Sequence, residues 1–271
     1  MATTARVGAA DRAVGARLGA GAVALSWAFF FFGIIDFLVG VIPSQFPEFL
    51  PFVVLETSWG LLYTFLLPVP LISWAARPAG WVGPQVAGIA AAVFAAGVAA
   101  GAWGQVFVAF LVAASAAFPR MWWPWPKWSL RRALARPAFW PVDALVALAM
   151  AAALVHTWEV LDAARSGASD DETWYLMHLP MQAAFALAVP AAAAVAVLAM
   201  ANGVAGWWFA IVPPAGCAMW FGAVSARYPQ VVGSLGELPG WFAFAWGFVV
   251  AVTLWATGFL ASRARGVGGA S

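Results

Sequence analysis

Charge is what this chain has least of. Only 9% of its 271 residues are Asp, Glu, Lys or Arg, while 65% are hydrophobic. Soluble domains carry roughly a quarter charged residues. The 13 basic and 11 acidic side chains cannot cover a soluble globule of this length. A soluble enzyme and a nucleic-acid binder are therefore excluded. Cysteine occurs once, at Cys217, which excludes disulfide scaffolds and thiol relays. Histidine occurs twice, at His156 and His178, too few for a histidine-rich desaturase centre. No Lys falls within an apolar run, which removes a retinal Schiff base. Nucleophile elbow, P-loop, dinucleotide fingerprint and H-E-x-x-H are all missing. No long polar segment interrupts the chain, so the sequence reads as one membrane domain, 18–262.

What is present is apolar length. A span needs ~20 apolar residues to cross ~30 Å of hydrocarbon. Eight such segments are read, at 18–42, 52–76, 81–100, 103–118, 141–163, 173–199, 206–226 and 240–262. The third and fourth share the uncharged stretch Trp81–Phe118, with a turn at Gly101-Ala102-Trp103-Gly104. The expected fold is an all-α, polytopic bundle of about eight transmembrane helices. The basic leader resembles a signal peptide, but its 25-residue apolar segment (18–42) exceeds an h-region of ~7–15 residues. It reads as an uncleaved first helix.

Cations set the orientation. With the N-terminus inside, Arg6, Arg12, Arg17, Arg77, Arg120, Lys127, Arg131, Arg132, Arg136, Arg263 and Arg265 fall on the inner side. Only Arg165 and Arg227 fall outside. This places a basic tail (1–17), a basic loop (119–140) and a second tail (263–271) in the cytoplasm of a cell-membrane protein. The loop segment 120–137 mixes five cations with four Trp. That mixture suits anionic inner-leaflet headgroups, at about 1 kcal/mol per cation. Trp74, Trp81, Trp140, Trp207 and Trp208 fall at inner span ends, and Trp103, Trp158, Trp174 and Trp241 at outer ends. An indole prefers the headgroup level, so most of the 18 Trp read as anchors.

An internal duplication is one option. Glu56 precedes Pro68 by 12 residues, and His178 precedes Pro190 by 12. Trp103-Gly104 precedes Arg120 by 17 residues, and Trp246-Gly247 precedes Arg263 by 17. Asp36 lies 20 residues before Glu56, and His156 lies 22 before His178. These matches fit two four-helix parallel repeats. Ala, Val and Gly dominate the chain, so chance similarity competes with that reading.

Ionisable residues inside spans carry the functional hint, because each costs ~2.5–3.5 kcal/mol or more in a bilayer. Asp36, Glu56, His156 and His178 fall at one depth in the outer leaflet, within about 4 Å at 1.5 Å per residue. Glu159 shares a helix face with His156. Each has a plain structural alternative: capping or an interfacial position for Glu56 and Glu159, a buried pair with Arg227 or a His for Asp36, one hydrogen bond for each neutral His. Asp143 reads as a helix-start carboxylate. Cys217 reads as a small packing residue.

Two carboxylates and two imidazoles suit acid–base work on a hydrophobic, lipid-like molecule. Asp36 and Glu56 would then be the acid–base pair, with His156 and His178 as proton partners. Glu159, Trp59, Tyr175 and Gln182 would contact the ligand. Whether such a site catalyses or only binds is open at this level. Proton-coupled transport is the main alternative, supported by Pro68, Pro70, Pro180, Pro190, Pro213 and Pro214 in the spans. A metal centre, bis-His b-type haem and an accessory subunit are further alternatives. Cofactor and oligomeric state are not specified.

The segment SWAFFFFGIID (26–36), followed by Glu56 on the next helix, resembles the emopamil-binding and sigma-2 type of four-helix unit. The resemblance covers about 40 residues. It implies a sterol-like ligand near intramembrane acidic residues. That family's aromatic and acidic spacing is not reproduced, so the chain is not assigned to it.

Overall fold

The protein is described by a computed structural model covering residues 2–122, 128–129 and 140–267. Its helices, in chain order, are α1 (Ala2–Phe30), α2 (Gly33–Val41), α3 (Val53–Gly60), α4 (Pro68–Ala76), α5 (Val82–Ala100), α6 (Trp103–Trp122), α7 (Trp140–Arg165), α8 (His178–Ala201), α9 (Val212–Arg227) and α10 (Glu237–Val267). A two-stranded hairpin, β1 (Glu172–Thr173) and β2 (Leu176–Met177), precedes α8. The chain is 81% helical, and seven helical segments are long and apolar enough to cross a membrane. Large apolar side chains such as Leu18, Phe29, Phe107, Leu148 and Phe242 are exposed along these helices. Exposed apolar surface on this scale suits lipid as the solvent.

The expected spans differ from the observed helices in three places. First, the expected segment 18–42 is broken. Phe32 adopts the left-handed conformation (φ 56°), and a new short helix starts at Gly33. A Cβ at Gly33 would stand 2.9 Å from Tyr63 Cβ and Thr64 Oγ1. The break therefore goes with close approach of two backbones, which glycine permits. Second, the segment 52–76 is three pieces. A π-helical stretch, Leu61–Leu66, joins α3 to α4. Pro68 has no N–H and crowds the carbonyl four residues back, so the preceding turn widens. Leu67 N–H accordingly donates to Leu62 O, five residues back, at 3.1 Å.

Third, the segment 173–199 is helical only from His178. Trp174 and Tyr175 (φ 56° and 61°) form the two-residue turn of the hairpin. Pro180 then sits in the first turn of α8, where no N–H is needed. Residues 103–118 fall within α6, as expected. Among the described residues, seven helices reach span length and hydropathy. Helix α1 begins at Ala2, within the basic leader, and α10 runs to Val267, into the C-terminal segment. Most of the basic loop 119–140 lies outside the described residues.

Four helix pairs that follow one another in sequence pack together, α2 with α3, α5 with α6, α7 with α8 and α9 with α10, and α1 packs on α4. Cross-contacts join them, most extensively α5 with α8, and also α3 with α8, α8 with α9, α1 with α6, α7 with α10, and α9 with α3 and the π segment. The Arg17 guanidinium donates to the carbonyls of Ala75 and Ala76, closing the last turn of α4. Trp103, Trp140, Trp158, Trp174, Trp208 and Trp241 are exposed, as membrane anchors would be. Trp74 and Trp81 are instead buried in the core.

Candidate functional site

A polar cluster forms where α2, α3 and the start of α8 meet. Glycine makes this possible. A Cβ at Gly60 would run into the backbone of Phe37, and one at Gly40 into Thr57. With hydrogen there instead, α2 lies directly on α3. Asp36 (6% exposed) and Glu56 (1% exposed) then lie buried close to one another.

His178 arrives from the other side, as the first residue of α8. Its backbone N–H donates to Asp171 O at 3.1 Å. Asp170 closes the helix start, its two carboxylate oxygens accepting Leu179 N–H at 3.0 and 3.1 Å. The His178 imidazole stacks on Trp59, whose N–H donates to Phe31 O at 2.7 Å. Its Nε2 lies 3.0 Å from Thr173 Oγ1, and its Nδ1 lies 3.2 Å from Glu56 Oε1. Ligand-capable atoms of Glu56, Asp171 and His178 all lie within 4.8 Å of one another. Glu56 Oε1, His178 Nδ1 and Asp36 Oδ2 are buried without a hydrogen-bond partner among the described residues.

Three residues expected at the site, Asp36, Glu56 and His178, thus converge, and Trp59 packs against them. Asp171 and Thr173 join them without having been expected. His178 is the first residue of α8 and Asp36 rides on the separate short helix α2, rather than each lying inside one long helix. Tyr175 is 91% exposed at the hairpin tip. Gln182 is fully buried and donates to Gly233 O at 2.5 Å. Arg227 lies over Tyr228 rather than beside Asp36. The only non-glycine residues with positive φ among the described residues are Phe32, Trp174 and Tyr175. Trp174 stacks on Phe30 and lies against Phe32, so this backbone strain gathers beside the cluster.

His156 stands apart. It lines an apolar cavity of about 570 Å³ formed by α7, α8, α9 and α10, and no member of the polar cluster lines it. The imidazole is 6% exposed, and neither ring nitrogen has a hydrogen-bond partner among the described residues. Glu159 approaches Nδ1 only to 3.8 Å and is itself mostly exposed. The two imidazoles have different surroundings: His178 faces Glu56 and His156 faces an apolar space.

The signal for the two unexpected residues was in the sequence. Pro180 fits a first helical turn, which moves the helix start toward residue 178 and brings 170–173 beside it. The chain matches no known protein family, no curated protein and no solved structure.

Proposed function

We propose that this membrane protein binds a hydrophobic, lipid-like small molecule in the cavity between α7, α8, α9 and α10. The observation that carries the reading is His156: a buried imidazole with two unpartnered nitrogens, facing an otherwise apolar space. A buried polar group without a partner is destabilising, by roughly 1–3 kcal/mol in mutational data. A ligand with one hydroxyl or carbonyl would remove that penalty. The volume, about 570 Å³, suits a drug-sized or sterol-sized molecule, since such pockets run from about 300 to 1,000 Å³. The rim residues Leu148 and Phe242 are exposed on α7 and α10, which favours entry from the bilayer. The corresponding interior beside α1 and α6 is filled by stacked rings of Trp27, Phe31 and Tyr63, with Trp27 N–H donating to Ser115 Oγ at 3.0 Å.

An eight-span, four-plus-four architecture belongs to the same proposal. Exchanging the first four expected spans for the last four maps the α1–α6 contact onto α7–α10. It maps α5–α8 onto α9 with α3 and the π segment. Glu56 and His178 then become equivalents meeting near the axis of the duplication. Cytoplasmic termini and an inner-leaflet role for 120–137 follow from the cation distribution. Cysteine labelling at Ser271→Cys in intact and permeabilised cells tests the orientation.

The binding reading is tested by mass spectrometry of the protein purified in mild detergent. A co-purifying lipid-like molecule is expected for the unmodified chain. It should be lost in Ala152→Trp, which fills the cavity, and weakened in His156→Leu. The same molecule bound equally to a folded Ala152→Trp variant would overturn the proposal.

A further inference from the structure

We propose that Glu56, Asp171 and His178 form a binding site for a divalent transition-metal cation of the zinc class. The site is separate from the cavity and does not depend on what fills it.

The starting point is the pair of buried atoms that face each other. His178 Nδ1 and Glu56 Oε1 are 3.2 Å apart, yet neither has a hydrogen-bond partner among the described residues. Nε2 is within reach of the Thr173 hydroxyl at 3.0 Å. In the tautomer whose Nε2–H donates to Thr173, Nδ1 presents a lone pair to a carboxylate oxygen, and a cation between the two would satisfy both.

The spacing suits a metal. Ligand atoms bound at ~2.0–2.1 Å to one tetrahedral ion stand about 3.3 Å apart. Asp171 supplies the third donor, all three donor atoms lying within 4.8 Å. One of its oxygens accepts Glu172 N–H at 2.7 Å, which fixes the carboxylate while leaving the other oxygen free to bind. Nitrogen-and-oxygen donor sets of this kind take Zn²⁺, Mn²⁺ or Fe²⁺ rather than soft Cu⁺. Two carboxylates and a neutral imidazole leave a divalent ion formally neutral, which lowers the penalty of burying it.

The surroundings are also those of a metal site. The histidine's second nitrogen is held by Thr173, and its ring face by Trp59 at 4.4 Å between centroids. Outer partners of this sort fix the tautomer and orientation of a ligating imidazole. Asp36 is buried beside Glu56, close enough to influence the carboxylate that would bind.

The experiment uses the full chain, purified in detergent without a histidine tag and stripped with a chelator. Zn²⁺ binding is read by competition with a chromophoric indicator, and Co²⁺ binding by its visible absorption bands. The unmodified chain is expected to bind one equivalent, with a cobalt spectrum indicating nitrogen and oxygen donors. Asp171→Asn, in the loop before the hairpin, should weaken binding at least tenfold. Thr173→Val, which removes only the outer partner, should weaken it by about 10–100-fold. Glu56→Gln should abolish binding, and Asp171→Asn keeps the test decisive if that core variant does not fold. A folded unmodified chain that binds neither ion more tightly than Asp171→Asn would overturn the site and leave an imidazolium–carboxylate pair in its place.

Discussion

The imidazole of His178 lies flat against the indole of Trp59, with ring centroids 4.4 Å apart and planes 24° from parallel. Trp59 is buried, and its own N–H is spent on Phe31 O. The indole therefore serves as a rigid wall that fixes the imidazole. Trp59→Ala should destabilise by about 3–5 kcal/mol, the usual range for a large aromatic in a core. Trp59→Phe keeps a ring against His178 and should lose distinctly less. Denaturation at fixed detergent concentration measures both. Equal losses would mean that the stacked face contributes nothing.

Gly60 decides whether Asp36 reaches Glu56. Gly60→Ala should separate α2 from α3 and lower the melting temperature sharply, since the added Cβ meets the backbone of Phe37. Gly15→Ala is the control. Nothing lies within 4 Å of that Cβ position, so the change should be neutral, or stabilising by up to about 1 kcal/mol.

The hairpin tip offers the opposite sign. Tyr175 is 91% exposed and sits at φ 61°. Tyr175→Gly removes little packing and relieves a conformation that disfavours bulky side chains, so it should be neutral or stabilising by about 1 kcal/mol. Trp174→Gly relieves similar strain but loses the stack on Phe30 and the bond to Phe30 O. It should destabilise. Paired melting curves of the two variants check the contrast.

Asp170 gives a pH dependence outside the spans. Burial raises its carboxyl pKa, opposed by the N–H groups of Leu179 and Asp171. A raised folded value means that the folded state holds the proton more tightly than the unfolded chain. The stability from this group is fully present below its ordinary value, near ~3.9, and is lost as pH rises through the raised value. Asp170→Asn cannot titrate. The stability difference between unmodified protein and Asp170→Asn should therefore shift against the unmodified chain as pH rises through that window. A difference that stays flat from pH 4 to pH 8 would contradict the assignment.

How much was legible beforehand depends on which residues are considered. Hydropathy runs located the helices because apolar length is a local property, readable one segment at a time. Asp36, Glu56 and His178 stood out because ionisable groups in apolar runs are rare. Their convergence was not readable as such. Depth along a straight helix placed His156 with them, whereas the real helices are not straight. Phe32, the π turn before Pro68 and the hairpin before His178 each redirect the chain.

The sequence alone determined that this is a multi-helix membrane protein, since 9% charge leaves no other solvent for its surface. It also determined which few residues are chemically unusual. The tertiary structure decided how those residues are divided. Gly33, Gly40 and Gly60 let two backbones touch and bring Asp36 to Glu56, while the hairpin delivers Asp171, Thr173 and His178 to the same point. The turn of α7 toward α8, α9 and α10 gives His156 an apolar cavity of its own. Close approach and rotation about a helix axis depend on which surfaces meet across the bundle, and such contacts are long-range by nature.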